Sequence, residues 1–203
     1  MSIYLASASP RRHEILLQMG VAHDILIVPA PPGDDEPQLP GESPEAYVLR
    51  TAHEKADRAI QWITTAKLPQ KPVLTADTTV SIEGRVLGKP SSLDDARNML
   101  ECLSGKTHQV QTVVTLTAGA RREERISTTT VTFSPLSSTE IQAYCTSTEP
   151  WGKAGGYGIQ GKASMFIQRI AGSYSGVMGL PVFETAQLLK AHGLLTDPVI
   201  VQE

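Results

Sequence analysis

Short β-prone apolar runs alternate along this chain with longer segments whose apolar residues recur at helical spacing. Residues 3–7 read as a strand, and Ser9 followed by Pro10 reads as the start of a helix carrying Ile15, Leu16 and Met19 and closed by Gly20. Residues 22–28 read as a second strand, and residues 29–44 as a loop rich in Pro and Gly with the acidic run Asp34, Asp35, Glu36. Ser43-Pro44 opens the longest helix, which ends near Ala66 and collects Val48, Ala52, Ala56, Ala59 and Ile63 on one arc. Residues 72–82 and 86–88 read as strands joined at Glu83-Gly84. Ser92 caps a helix that Gly105 ends, with Asp94 and Asp95 where the helix dipole favours them. Residues 108–117 and 126–133 flank an Ala-Gly-Ala turn and predict a hairpin. Ser137-Ser138-Thr139-Glu140 is a capping box. A Gly-rich loop (149–161), a strand (165–170) and a last helix (180–191) follow, and residues 196–203 are expected as a loosely held tail.

Interleaved helices and strands with both hairpin and crossover connections predict an α/β fold with a central mixed β-sheet flanked by helices. At 203 residues the chain is the length of one domain, and no internal repeat divides it. Apolar residues make up 40% and charged residues 19%, the balance of a globular protein rather than a disordered one. The net charge of −3 argues against a nucleic-acid binder or a membrane-surface binder, which needs a basic face. No run reaches the ~18 apolar residues of a membrane span. The two distant cysteines, Cys102 and Cys145, offer neither a disulfide framework nor a C-x-x-C site. A cytoplasmic protein is expected.

Several motifs fail on context. Gly156–Gly161 matches G-x-G-x-x-G and, with Lys162, most of a phosphate loop, but Ala163 lacks the metal-binding hydroxyl and the strand and helix both motifs need are not predicted. No two of the five histidines stand at zinc-helix spacing, and Gly172-Ser173-Tyr174-Ser175-Gly176 only approaches a nucleophile elbow. The first predicted turn says more. Ser7 and Ser9 stand where a strand hands over to a helix, with Arg11 and Arg12 just inside. A helix N-terminus, hydroxyls and guanidiniums all suit phosphate oxygens. Cations in a first turn also oppose the dipole, so they call for an anionic partner. Asp77 interrupts a β-rich run in which aspartate is out of place. Lys55 lies at the edge of an apolar arc, and Lys89 follows a short strand. Carboxylates for a metal and a base, with cations for a polyphosphate, form a coherent set.

From Leu5 to about Leu189 the chain resembles the Maf family of nucleoside triphosphate pyrophosphatases. The likeness rests on Leu5-Ala6-Ser7-Ala8-Ser9-Pro10-Arg11-Arg12, Asp35-Glu36, Ala52-His53-Glu54-Lys55-Ala56, Ala76-Asp77-Thr78 and Leu87-Gly88-Lys89-Pro90. It continues through Leu103-Ser104-Gly105, the loop from Lys153 to Gly161, Gly172-Ser173-Tyr174 and Gly179-Leu180-Pro181. The resemblance implies one Maf-like domain with a cleft between two lobes, akin to inosine triphosphatases. It implies hydrolysis of a nucleoside triphosphate to the monophosphate and pyrophosphate with a divalent cation, magnesium or manganese. By motif, Asp77 is the proton acceptor and Glu36 with Asp77 holds the metal. Ser7, Arg12, Lys55 and Lys89 line the phosphate path.

Arg11, Thr78 and Gln160 match the branch acting on dTTP and UTP, and an amide suits the imide edge of uracil and thymine. Thr75 departs from the family, where Gly is usual. The partner expected is a nucleotide, with no nucleic acid and no membrane, and a homodimer is left open. The rival readings are purine or 7-methyl-GTP specificity and a non-catalytic, nucleotide-binding regulator of cell division.

Overall fold

The computed structural model of the chain describes residues 2–30 and 36–195. The acidic residues Asp34 and Asp35 and the expected tail at 196–203 lie outside the described residues. Among the described residues seven strands form one mixed sheet: β1 (Ile3–Leu5), β2 (His23–Ile25), β3 (Val73–Ile82), β4 (Arg85–Leu87), β5 (Thr107–Ala118), β6 (Arg121–Phe133) and β7 (Ile167–Ala171). Their order is β2-β1-β3-β5-β6-β7, with β4 paired only to β3. β1 runs parallel to both β2 and β3, and the remaining pairs are antiparallel. The helices are α1 (Pro10–Gln18), α2 (Pro44–Thr65), α3 (Leu93–Leu103), α4 (Ser138–Cys145), α5 (Tyr174–Met178) and α6 (Val182–Ala191). Among the described residues no helix is long and apolar enough to cross a membrane.

Side chains alternate across a strand, so β3 serves two layers. Val73 packs with Tyr4, Leu26, Ala59 and Ile63, and Val113 of β5 packs with Val48 and Ala52, which seats α2 on one face of the sheet. Leu74, Ala76, Val114 and Leu116 look the other way, onto Ile15 and Leu16 of α1 and Leu188 and Leu189 of α6. At the far end of that second face, Val80, Ile82, Val110 and Phe133 meet Leu100 of α3 and Ile141 and Tyr144 of α4.

One side of β3 is shared by two short strands that do not meet. β1 covers Val73 and Leu74, and β4 covers Val80 to Ile82. Between them, residues 75–79 have no strand beside them on that side, while β5 pairs with them on the other. Leu74 accepts from the Ala6 N–H on the β1 side. By the alternation of backbone groups along a strand, Ala76 and Thr78 therefore turn their N–H and C=O into the gap.

Local signals placed most boundaries. Ser43, Ser92 and Ser137 each accept a backbone N–H at the start of their helices, and Ser137 with Glu140 completes the capping box. Ser9 precedes α1, but its hydroxyl makes no cap bond; instead its own N–H donates to Ser7 Oγ at 3.2 Å.

Several expectations are corrected. The second arm of the hairpin, expected at 126–133, begins at Arg121, because pairing with β5 continues through the polar residues up to the turn. The second strand is only His23–Ile25, because the chain leaves the sheet edge on its way to Pro29. The expected strand at 165–170 begins at Ile167. A 3₁₀ turn over Lys162–Phe166 precedes it, its first N–H held at 2.9 Å by the Glu149 carboxylate. The last helix starts at Val182, with Pro181 as its N-cap, and α5 was not expected at all. Five residues are too few to show an apolar period. Its signals were the Ser173 cap on the Gly176 N–H and Gly179 in the left-handed region at φ 114°.

Candidate active site

The gap beside β3 opens into a cavity of about 850 Å³, the size of a small-molecule site. Its wall includes Ser7, Arg11 and Arg12 from the β1–α1 junction, Glu36, Lys55 from α2, Asp77 and Thr78 from β3, and Lys89 after β4. Residues that were separate anomalies along the chain thus face one space. Gln160 is not in this wall: its side chain is exposed, whereas Trp151, Lys153, Tyr157 and Ile159 of the same loop do line the cavity.

Asp77 and Thr78 are consecutive, so they face opposite layers. Asp77 turns toward α2 and is 4% exposed. Its Oδ2 accepts from the Thr51 hydroxyl at 2.5 Å, and its Oδ1 takes the Lys55 ammonium. Thr51 and Lys55 stand one helical turn apart, so one face of α2 delivers both donors. Burial pushes the Asp77 carboxyl up. The charge and hydrogen bond of Lys55, the Thr51 hydroxyl and the charge of Arg12 outweigh it and hold the group below the ordinary carboxylate range. Glu36 Oε1 lies 2.5 Å from the same Lys55 ammonium, and Glu36 Oε2 lies 3.7 Å from Lys89 Nζ. Tyr47 fixes the backbone at this point by donating to the Glu36 carbonyl at 3.0 Å.

Thr78 turns toward α1 and α5. Arg12 donates to Thr78 Oγ1 at 3.3 Å, to Ser7 Oγ at 3.2 Å and to the Gly179 carbonyl at 2.8 Å. Thr78 is tied at 3.0 Å to Thr112 Oγ1, which donates to the Gly176 carbonyl at 2.8 Å. Arg11 donates to the Met178 carbonyl at 3.3 Å. The cations at the start of α1 therefore find their negative partner in the C-terminal carbonyls of α5, the helix not expected from sequence. Burial lowers the Arg12 pKa, Asp77 and Glu36 oppose that and Arg11 adds to it, yet an arginine keeps its charge.

Thr51 was missed as a site residue, although its place one turn before Lys55 was a usable signal. Met178, Gly179 and Thr112 had none, since they reach the site only through the fold.

Glu36 and Asp77 both contact Lys55 and are carboxylates of the kind a magnesium-type cation takes, one or two at a time with phosphate and water oxygens. Among the described residues no cluster of three or more His, Cys, Asp or Glu is arranged to hold a metal by itself.

The family model described as Maf-like protein matches residues 2–192. A Bordetella avium protein named dTTP/UTP pyrophosphatase is 56% identical over 192 residues, covering 95% of this chain and 96% of its own. A Bordetella parapertussis protein of the same name is 55% identical over 192 residues, covering 95% and 93%. A Cupriavidus metallidurans protein, again so named, is 51% identical over 196 residues, covering 95% and 97%. Among solved structures, the Staphylococcus aureus Ham1 protein aligns with 66% of this chain and 72% of its own at 14% identity and a TM-score of 0.41, too distant to carry weight. A model match spanning nearly the whole chain, with relatives above half identity at nearly full length, places this chain in the Maf family.

Proposed function

We propose that this chain hydrolyses dTTP and UTP to the monophosphate and pyrophosphate. The observation that carries the reading is a buried carboxylate, Asp77, held by Lys55 at the bare stretch of β3 inside a cavity whose wall carries Arg11, Arg12, Lys55 and Lys89. The names of the relatives support the choice of substrate.

On this reading Arg12, Ser7 and Lys89 bind the triphosphate and orient it. Asp77 takes a proton from water as the water oxygen bonds to the α-phosphorus. The bond from that phosphorus to the bridging oxygen breaks, and pyrophosphate leaves. Lys55 has two tasks. Resting on Asp77, it holds that group ionised and able to accept a proton; its ammonium also lines the cavity, where it can meet a phosphate. A divalent cation, magnesium or manganese, held by Glu36 and Asp77 with the substrate phosphates, would neutralise charge on the leaving pyrophosphate.

Arg11 and Thr78, the residues assigned to specificity with Gln160, both line the cavity, which supports that role for them. Gln160 reaches the base only if the stretch around Gly158 and Gly161 turns inward. A smaller UTP-to-CTP ratio of kcat/KM in Gln160→Ala supports base reading, and an unchanged ratio overturns it.

Assay of purified protein with magnesium across dTTP, UTP, CTP, ITP and 7-methyl-GTP tests the whole reading. The expected products are monophosphate and pyrophosphate, dTTP and UTP lead, and chelation stops turnover. Release of orthophosphate with a diphosphate, or a preference for a purine, overturns it.

A further inference from the structure

The cavity wall is uneven in chemistry. Glu36, Lys55, Asp77 and Lys89 form one ionic cluster, linked by contacts of 2.5 Å from Glu36 to Lys55 and 3.7 Å from Glu36 to Lys89. Such a cluster suits a triphosphate and offers nothing to a nucleobase, whose large faces want an aromatic or apolar partner. Three aromatic side chains belong to the wall: Tyr47, Trp151 and Tyr157. Tyr47 is 6% exposed with its hydroxyl on the Glu36 carbonyl, and Tyr157 is 5% exposed with its hydroxyl 2.8 Å from His108 Nε2. Trp151 is 42% exposed. Its indole is therefore the aromatic surface in the wall that a ligand can cover.

A lone exposed tryptophan is ordinary on a protein surface. This one sits on a loop pinned at several points. The Gly155 N–H donates to the Gly88 carbonyl at 2.9 Å, Lys153 Nζ bonds back to the Glu149 carbonyl, and the Glu149 carboxylate accepts the Lys162 N–H. Gly155 presses so closely on Val80 that an added Cβ would lie 2.9 Å from Val80 Cγ1. These contacts hold the loop against β3 and the end of β4, and it places Trp151 at the cavity wall.

We propose that Trp151 is the stacking platform for the nucleobase, an assignment that rests on the reading of the cavity as a nucleotide site. Stacking is tolerant of base identity because every base has a π-face, and it supplies ~1–3 kcal/mol per base. Trp151 accordingly contributes affinity for the nucleoside end and leaves the choice between bases to hydrogen-bonding groups.

The test uses the two tryptophans of the chain, Trp62 and Trp151. In a Trp62→Phe background, UMP should quench the remaining fluorescence saturably, and pyrophosphate should not. By calorimetry, Trp151→Ala should weaken UMP binding by roughly 5- to 150-fold, the equivalent of that stacking range. Pyrophosphate binding should stay unchanged, and Trp151→Phe should restore most of the loss. With UTP as substrate the loss should fall more on KM than on kcat, because stacking serves ground and transition states alike. Unchanged UMP affinity in Trp151→Ala, an equal loss for pyrophosphate, or no UMP binding by the unaltered protein overturns the proposal. Failure of the hydrolysis reading looks different, since it would leave UMP binding dependent on Trp151 without any turnover of UTP.

Discussion

Lys55 and Asp77 form an ion pair in which the carboxylate side chain is 6% exposed and the ammonium side chain 21% exposed. Breaking such a pair from one side leaves the other charge poorly solvated. Asp77→Asn is the milder break, because Lys55 keeps Glu36 at 2.5 Å. If Asp77 is the base, turnover falls by at least ~10²-fold while nucleotide binding largely survives. Steady-state kinetics and a binding titration on the same preparation check this, and a folded variant with near-normal kcat would remove Asp77 from the mechanism.

Arg12→Lys tests the fork. Lysine keeps the charge but cannot reach Ser7, Thr78 and the Gly179 carbonyl together from one planar group. The expected cost is about 1–3 kcal/mol in urea unfolding, from partly buried acceptors losing a charged donor. A fall in kcat/KM of tenfold or more should accompany it. A lysine variant indistinguishable from the original in both measurements contradicts the role given to the fork.

His108, which contacts Tyr157 of the cavity wall, provides a pH signature of its own. It is 2% exposed, packed edge-on against Phe133 and Tyr157, and burial pushes its pKa from 6.5 down to about 4. The folded protein therefore binds fewer protons than the unfolded chain between those two values. Stability should drop as pH falls from about 6.5 to about 4 and this contribution should then level off, with a total near 3 kcal/mol. His108→Gln keeps a donor for Tyr157 and cannot titrate, so its unfolding free energy should be flatter across that window. Parallel slopes for the two proteins would rule His108 out as the source.

Gly155 lies at φ 68°, and an added Cβ would stand 2.9 to 3.1 Å from three side-chain atoms of Val80. Gly155→Ala combines left-handed strain with this clash and should destabilise by about 2–3 kcal/mol. Val80→Ala removes the clash but not the strain. In a double-mutant cycle by thermal denaturation the two changes should cost less together than the sum of their single costs, by about 1 kcal/mol. Strict additivity would show that the loop does not bear on β3 as described.

How much could be read beforehand depended on how local the cause was. Ser43-Pro44, Ser92 and Ser137 act within one turn, and the helices they start were legible. Asp77 and Lys55 were legible as anomalies, a charge in a strand and a charge beside an apolar arc, without their pairing. The partner of Arg11 and Arg12 was hidden, because the carbonyls of Met178 and Gly179 lie 167 residues away in sequence on a helix too short to show periodicity. The family resemblance pointed to Gln160, but a motif match cannot say which way a side chain turns, and here it turns to solvent.

The break in pairing along β3 has a dynamic consequence. In a sheet the middle of the central strand usually exchanges its amide hydrogens most slowly, because opening it requires disrupting neighbours on both sides. Here the N–H groups of Ala76 and Thr78 face the cavity while those of Thr75, Asp77 and Thr79 face β5. Deuterium should enter β3 in alternation, faster at Ala76 and Thr78 than at the odd-numbered positions between and beside them. A molecule filling the cavity then does for these two amides what an eighth strand would have done, and their slowing on addition of nucleotide reports occupancy at the heart of the protein rather than at its surface.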